Sequence, residues 1–415
     1  MREKIVKVGL FLAVLFWVQG PVYAQDAKGL APGWFSLDST VGVVDKKIEE
    51  GKSAVEKALF GIKISGFWDV SYHYSFNNPI NGADDITGRA FQQDHNEINL
   101  DSFKLVVEKD EKDWGVGFRI DANFGRTAEF LREATLWGSK FQTPGVNGGE
   151  PSVELQQAFL TTTIPSGKGI QVTGGKFVTL HGAEVIESKD NPNISYSFPF
   201  YFAIPLTHTG VRGKYVFTDM IDLTLGVNTG WDNPRDNNNQ PSYEGRLGFT
   251  FSDKYTLAVA WMAGPEWLTG DARNNQPRDR IGRNRALLDV VAIAKPTSQL
   301  TFIFNYDYGT EDQVPVGDGR RDTHWNGLAA YAIYGWTDRF STAVRGDYIS
   351  DSTGSRVLHG RLWGLTLTPA YKFTEKLIGR AEYRHEWSSR NFFSKGRTAT
   401  DKDQGIFALQ ATYAF

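Results

Sequence analysis

The side chains able to do chemistry are sparse in this 415-residue chain, and their spacing speaks against most kinds of it. His181, Glu184 and Glu187 stand three apart, which on one face of a helix would ligate a metal. No His-Glu-x-x-His pattern exists and Gly182 follows His181, so lining a wet passage is the expected role. The run Asp232-Asn233-Pro234-Arg235-Asp236-Asn237-Asn238-Asn239 offers oxygen ligands, but it lacks the glycine and bidentate glutamate of a calcium loop and reads as a solvated hairpin loop. There is no Gly-x-Ser-x-Gly elbow and no phosphate loop. With no Cys, disulfide frameworks and Cys-ligated zinc or iron–sulfur sites are excluded. No catalytic residue, metal or cofactor is expected.

What the spacing favours is a wetted wall. Arg119 and Asp121, Arg212 and Lys214, Glu244 and Arg246, Arg345 and Asp347, and the run Arg380, Glu382, Arg384, Glu386 recur every second residue. Desolvating so many charges would be costly, so this face belongs in water. The residues between them are apolar: Phe118, Ile120 and Ala122, then Tyr243, Gly245 and Leu247, then Ala381, Tyr383 and Trp387 with His385. A period of two with one wet and one apolar face is a β-strand. The pattern holds from residue 61 to the end and yields about sixteen strands. The basic and acidic inward positions nearly balance, which predicts weak selectivity with a slight lean to anions.

The connections decide what kind of sheet this is. Short links, such as Asp110–Lys112, Pro165–Lys168 and Thr374–Lys376, alternate with long polar ones, such as 76–95, 126–151, 180–207, 267–283 and 390–402. Tight turns at one end, long loops at the other and an even strand count are the pattern of a transmembrane antiparallel β-barrel. Strands of about ten or more residues suit a tilted membrane span. Mean hydropathy is −0.36, which excludes a helical membrane protein but fits strands that are half lipid-facing and half wet. Trp68, Tyr72, Trp114, Trp231, Trp261, Trp363, Trp387 and Tyr413 are placed near strand ends, as interfacial girdles require. Eight strands leave an interior that side chains fill, whereas sixteen leave an aqueous channel.

The chain divides into three parts. Arg2, Lys4 and Lys7, the apolar run Val8–Val18 and Val22-Tyr23-Ala24 form a signal peptide over 1–24, cleaved on export. Residues 25–60 are a periplasmic lead. Within it Val41, Val44, Ile48, Val55 and Ala58 make the apolar stripe of a short amphipathic helix at 41–60. Residues 61–415 are the barrel.

The link at 180–207 is unlike the others. Its first half is polar, with His181, Glu184, Glu187, Lys189 and Asp190, and its second half carries Tyr196, Phe198, Phe200, Tyr201 and Phe202. An outward loop would not offer so many aromatics to water. It is expected to fold into the lumen, aromatics on the inner wall and carboxylates at a constriction formed by Lys176, His181, Glu184, Glu187, Asp190 and His208. Arg119, Asp121, Arg212, Lys214, Arg246, Arg345, Arg380 and Arg384 are the expected lining.

Several stretches carry a family resemblance: Gly66-Phe67-Trp68-Asp69, Gly175-Lys176-Phe177, Gly182-Ala183-Glu184-Val185-Ile186-Glu187, Asn193-Ile194-Ser195-Tyr196-Ser197, His208-Thr209-Gly210-Val211 and Gly230-Trp231-Asp232-Asn233. Over about 60–415 the chain resembles the OmpL-like β-barrel porins. The resemblance implies a pore-forming barrel in the bacterial outer membrane, with Lys176, Glu184, Glu187 and His208 lining or supporting the constriction. The alternating ending to Phe415 resembles the signal read by the barrel-assembly machinery. Expected partners are therefore outer-membrane lipid, that machinery, and small hydrophilic solutes or ions. A homotrimer is expected for porins of this size, and nucleic acid is not a partner. Two other readings stand beside the porin: a barrel enzyme such as a surface hydrolase, and a plugged structural or binding barrel.

Overall fold

The computed structural model describes residues 61–80, 86–89, 91–111, 115–137, 153–236, 238–266, 283–316, 319–351, 353–356 and 360–415. The signal peptide, the helix at 41–60 and Trp114 lie outside these residues.

In chain order the strands are β1 (Ile62–Ser75), β2 (Glu97–Lys109), β3 (Gly117–Phe124), β4 (Val153–Ile164), β5 (Ile170–Val178), β6 (Thr207–Thr218), β7 (Ile221–Asn228), β8 (Ser242–Thr250), β9 (Tyr255–Glu266), β10 (Arg283–Ala294), β11 (Leu300–Val316), β12 (Gly319–Gly335), β13 (Phe340–Asp351), β14 (Gly360–Lys372), β15 (Leu377–Ser388), β16 (Phe393–Lys395), β17 (Ala399–Asp401) and β18 (Asp403–Ala414). Sixteen of them close into one antiparallel barrel, each hydrogen-bonded to its sequence neighbours, with β15 passing directly to β18. The seam joins β1 to β18, Trp68 opposite Tyr413. The Phe415 amide donates to the Gly66 carbonyl at 2.8 Å and the Gly66 amide returns the bond at 3.1 Å. Closure leaves no strand edge unpaired, which lipid would penalise.

Three long connections hold structure of their own. A helix, α1 (Arg126–Trp137), follows β3, β16 and β17 form a small hairpin before β18, and a helix of one turn, α2 (Phe198–Phe202), lies in the link between β5 and β6. The alternation of the sequence breaks between residues 310 and 322, yet β11 and β12 run through the break and pair Val314 with Arg321 and Val316 with Gly319. A register shift after Glu311, with Gln313 at φ +54°, absorbs the break in alternation that looked like a strand end.

Burial is inverted relative to a soluble protein. Ile64, Leu100, Leu160, Val211, Leu225, Phe302, Leu365 and Leu367 are exposed on the outer face, while Lys104, Asp121, Glu244, Asp307, Arg345, Glu382, Arg384 and Glu386 are buried. The register carries this through the sheet: Arg345 faces Thr366 across β13 and β14, and Val344 faces Leu367. Trp68, Trp261, Trp363 and Trp387 are exposed on the outside as girdle residues should be. Trp231 is not among them. It is 4% exposed and packs edge-to-face on Trp325, whose centroid is 6.1 Å away, in an apolar cluster with the inner aromatics. The turn after β7 directs it inward, because Asp232 there takes a positive φ of +56° and accepts the Leu206 and Thr207 amides.

Candidate functional site: the inner link and the lumen wall

The link between β5 and β6 starts from two backbone positions that need glycine. Gly175 has φ +137°, and a Cβ there would meet the Ala158 carbonyl at 2.3 Å. Gly182 has φ +87°, with Ile204 where its Cβ would point. From there the segment packs against inward-facing residues of strands on several sides. The Ala183 amide donates to Asn305 of β11 at 3.1 Å. Gln156 of β4 donates to Glu187 at 2.9 Å, and Lys104 of β2 pairs with Glu187 and, at 2.8 Å, with Asp121.

The return path is held by the charged faces of β13 and β15. Arg345 donates to Glu184 at 3.0 Å, to Asp347 at 3.1 Å and to the Tyr196 carbonyl at 3.1 Å. Arg380 donates to the Ser188 and Asn191 carbonyls, each at 2.7 Å, and Arg384 to the Tyr196 carbonyl at 2.6 Å. Glu382 accepts the Ile194 amide at 2.7 Å and the Ser195 amide at 3.1 Å, and Asp347 accepts the Phe198 amide at 2.9 Å. A buried irregular backbone needs partners for its N–H and C=O groups, and these side chains supply them. Ser197 caps α2 by accepting the Phe200 amide, and its own amide and hydroxyl donate to Glu184 at 2.9 and 2.7 Å.

The aromatic half fills the long-loop half of the interior. Tyr196, Phe198, Phe200, Tyr201 and Phe202 are buried with Phe91 and Phe130 from neighbouring connections and with Met262, Trp325 and Leu362 of the wall. Tyr196 stacks on Phe200 at 4.7 Å, and the Trp325 indole donates to the Ala203 carbonyl at 3.1 Å.

The expected site residues thus fall into two groups. Arg345 and Arg384 have no exposed side-chain surface, and Arg380 is also buried, so the three face the link and not open water. Glu184 is buried beside Arg345. Burial raises its carboxyl above the usual range, and the guanidinium only partly offsets this. His181 is buried with its Nδ1 2.9 Å from the Thr179 hydroxyl, and burial pushes its ring down to about 3. His208 is buried between the Gly230 carbonyl at 3.2 Å and Glu244 at 3.9 Å, where Glu244 also binds Arg212 at 2.5 Å. Lys176 pairs with Glu154.

The second group is wetter. Side chains of Arg119, Lys214, Arg246, Glu187, Lys189 and Asp190 are 17% to 28% exposed. Burial would raise the Glu187 carboxyl, but the Lys104 ammonium outweighs it and holds the group below the usual range, hence ionised. Asp190 takes Lys189 at 2.6 Å, and Asp222 takes Arg246 at 3.3 Å. A cavity of about 590 Å³ opens on the same side, lined by Glu108, Glu111, Arg119, Thr161, Thr163 and Gln171.

Among the described residues no group of three His, Cys, Asp or Glu could hold a metal. His385 lies 3.6 Å from Asp403 and 3.3 Å from the Tyr383 hydroxyl, and among the described residues no serine hydrogen-bonds to it.

The model of the family described as "Putative beta-barrel porin-2, OmpL-like" matches residues 61–415. The chain belongs to this family. An outer-membrane location follows, and the family's description is that of a porin. No curated protein matches the sequence. Solved structures share the fold at low identity. The anion-selective porin from Comamonas acidovorans superposes with a TM-score of 0.58 at 9% identity, covering 85% of this chain and 99% of that one. The outer membrane channel DcaP of Acinetobacter baumannii gives 0.55 at 11%, covering 85% and 97%. The trimer form of OmpT, an outer membrane protein of Vibrio cholerae, gives 0.53 at 14%, covering 85% and 99%.

Residue pattern alone did not single out Glu382, Asp347 and Lys104 as holders of the link. Their place on the inward face was legible from the alternation, but the partners lie 83 to 188 residues away and leave no local signal.

Proposed function

We propose that this porin-family barrel forms a water-filled channel for passive diffusion of small hydrophilic solutes, narrowed by the link between β5 and β6. The observation that carries this reading is the division of the lumen. On the β13–β15 side the link is bonded to the wall and excludes water, while Glu187, Lys189 and Asp190 on its other edge and Arg119, Lys214 and Arg246 on the β3–β8 wall keep exposed charge. The narrowest passage is then bordered by these exposed charges, with Glu187 tied to the wall through Lys104 and Gln156 at one corner and with Glu184, His181, His208, Arg345, Arg380 and Arg384 supporting the link from behind. Most of the wet charges are paired with opposite ones, so selectivity should be weak. The anion selectivity in the name of the Comamonas porin is compatible with the slight basic excess of the wall.

Cleavage of the leader near Ala24, recognition of Phe415 by the assembly machinery and association as a homotrimer complete the proposal. The trimer form of the Vibrio protein supports the last of these at the level of shared fold. The deciding experiment is purified protein in a planar lipid bilayer, where stepwise conductance is expected. A silent membrane would favour the plugged barrel, and a silent membrane with lipid or peptide hydrolysis would favour a surface hydrolase.

A further inference from the structure

One aromatic of the wall does not follow the others. Among the described strand residues, the inward rings Phe67, Phe177, Trp325 and Tyr331 are all buried. Phe159 of β4 also points inward, since it stands opposite Arg119 of β3 and Gly175 of β5. Yet it is only half-buried, and it borders the cavity of about 590 Å³. Among the described residues no ring and no guanidinium stacks on it. Gly175 has no side chain to cover it, and Arg119 is drawn away to Glu108 at 2.9 Å and to Asp121 at 2.8 Å. A single exposed ring is ordinary on a protein surface. What sets this one apart is the set of groups around it.

Those groups are polar, and their charges are already matched. Glu111 accepts the Thr163 amide and, at 3.0 Å, the Thr163 hydroxyl, while Asp110 pairs with Lys63. Of the lining charges only Lys109 lacks a carboxylate among the described residues, and by alternation with Glu108 it belongs to the outer face. An ionic solute therefore finds no vacant counter-charge on the inner side of this cavity. Hydrogen-bonding capacity, by contrast, is left over. The Thr161 hydroxyl and the Gln171 amide have no partner among the described residues. Thr161 shares the inner face of β4 with Phe159, and Gln171 stands opposite Thr163 on β5. An apolar surface with a few convergent polar groups is the make-up of a small-molecule site, and such sites run to roughly 300–1,000 Å³.

We propose that this cavity is a subsite for a neutral, ring-shaped polyhydroxy solute of monosaccharide size, with one face of the solute on Phe159 and its hydroxyls on Thr161, Gln171 and the Arg119–Glu108 pair. A sugar ring offers C–H groups on its face, which suit the electron-rich face of an aromatic. Its edge carries hydroxyls that donate and accept, as Thr161 and Gln171 do, while Arg119 donates and Glu108 accepts. The proposal deepens the channel reading and rests on it, placing the solute on the short-turn side of the inner link.

Purified protein in a planar bilayer is titrated with glucose and, separately, with an ethylene-glycol oligomer of similar hydrodynamic size, which lacks the ring face. Glucose should lower the ion current along a saturating curve, and the oligomer only in proportion to its concentration. Phe159→Ala should raise the half-saturating glucose concentration roughly threefold to tenfold. Gln171→Ala should raise it by a smaller factor, and Phe159→Tyr, which keeps the ring, should stay near the parent. Folding of each variant is checked by its mobility without heating, and Gln171→Ala carries the test if Phe159→Ala misfolds. A proportional response to both solutes in conducting protein would overturn the proposal, as would a saturation that the folded alanine variants leave unchanged. A membrane without conductance counts against the channel reading instead. Calorimetry of glucose with the detergent-solubilised protein then decides the subsite, saturable heat supporting it and its absence overturning it.

Discussion

At the residue scale, the two glutamates of the inner link separate into different jobs although they look equivalent in sequence. Glu187 is part-exposed and ionised beside Lys104, whereas Glu184 is buried between Ser197 and Arg345. Glu187→Gln should move the reversal potential in a salt gradient toward anions, by a few millivolts, with little change in stability. Glu184→Gln should leave selectivity unchanged and weaken the fold by about 2 kcal/mol, because it removes one of the two carboxylates, with Asp347, that hold the buried Arg345 guanidinium. Equal selectivity shifts from the two would count against the assignment. His181 gives a pH signature. Its folded value of about 3 lies below the ordinary 6.5, so the unfolded chain binds the proton more readily. The stability due to this burial is complete above 6.5 and is lost as pH falls toward 3. Melting of the detergent-solubilised barrel should therefore drop on acidification through this window, and His181→Asn should make the drop shallower. That both histidines near the link are buried supports was not legible in sequence, where a polar run reads as solvent-facing.

At the element scale, the strands were readable because lipid and water impose opposite demands on alternate residues. Sixteen barrel strands follow from that alternation, and it fails only where the sheet itself is irregular, as at the register shift in β11. The link between β5 and β6 was readable in a weaker way. Its aromatics announced burial, but the Arg and Glu side chains that receive it sit on β13 and β15, far along the chain, so no spacing rule reaches them. Gly175 lies in β5, just before this element, between Phe159 of β4 and Gly210 of β6. Gly175→Ala would place a methyl against the Ala158 carbonyl and a left-handed φ on a residue that resists it. The expected result is a sharp loss of heat-modifiable, folded barrel in the outer membrane. Normal yield and normal conductance would show that this close approach is not needed to seat the link.

At the scale of the whole molecule, the interior holds what a soluble protein would display and the exterior what it would hide. The family assignment rests on the full 61–415 stretch, and the shared fold with solved outer-membrane barrels persists at identities of 9% to 14%. What identity that low does not preserve is the chemistry of the passage, which is why solute and selectivity are questions for conductance.

The seam between β1 and β18 has one more consequence. Gly66 and Phe415 exchange two backbone hydrogen bonds, and at the other end of the same seam Asn77 reaches Asp403, 326 residues further along. The two ends of the barrel's chain are thus already neighbours on the short-turn side, and the ring has no preferred starting point. A circular permutant that joins residue 415 to residue 61 through a brief Gly/Ser bridge, and is opened instead at the Asp219–Met220 turn, should refold in detergent into the same barrel with the same channel, while in cells the loss of a terminal Phe415 should lower its delivery to the outer membrane.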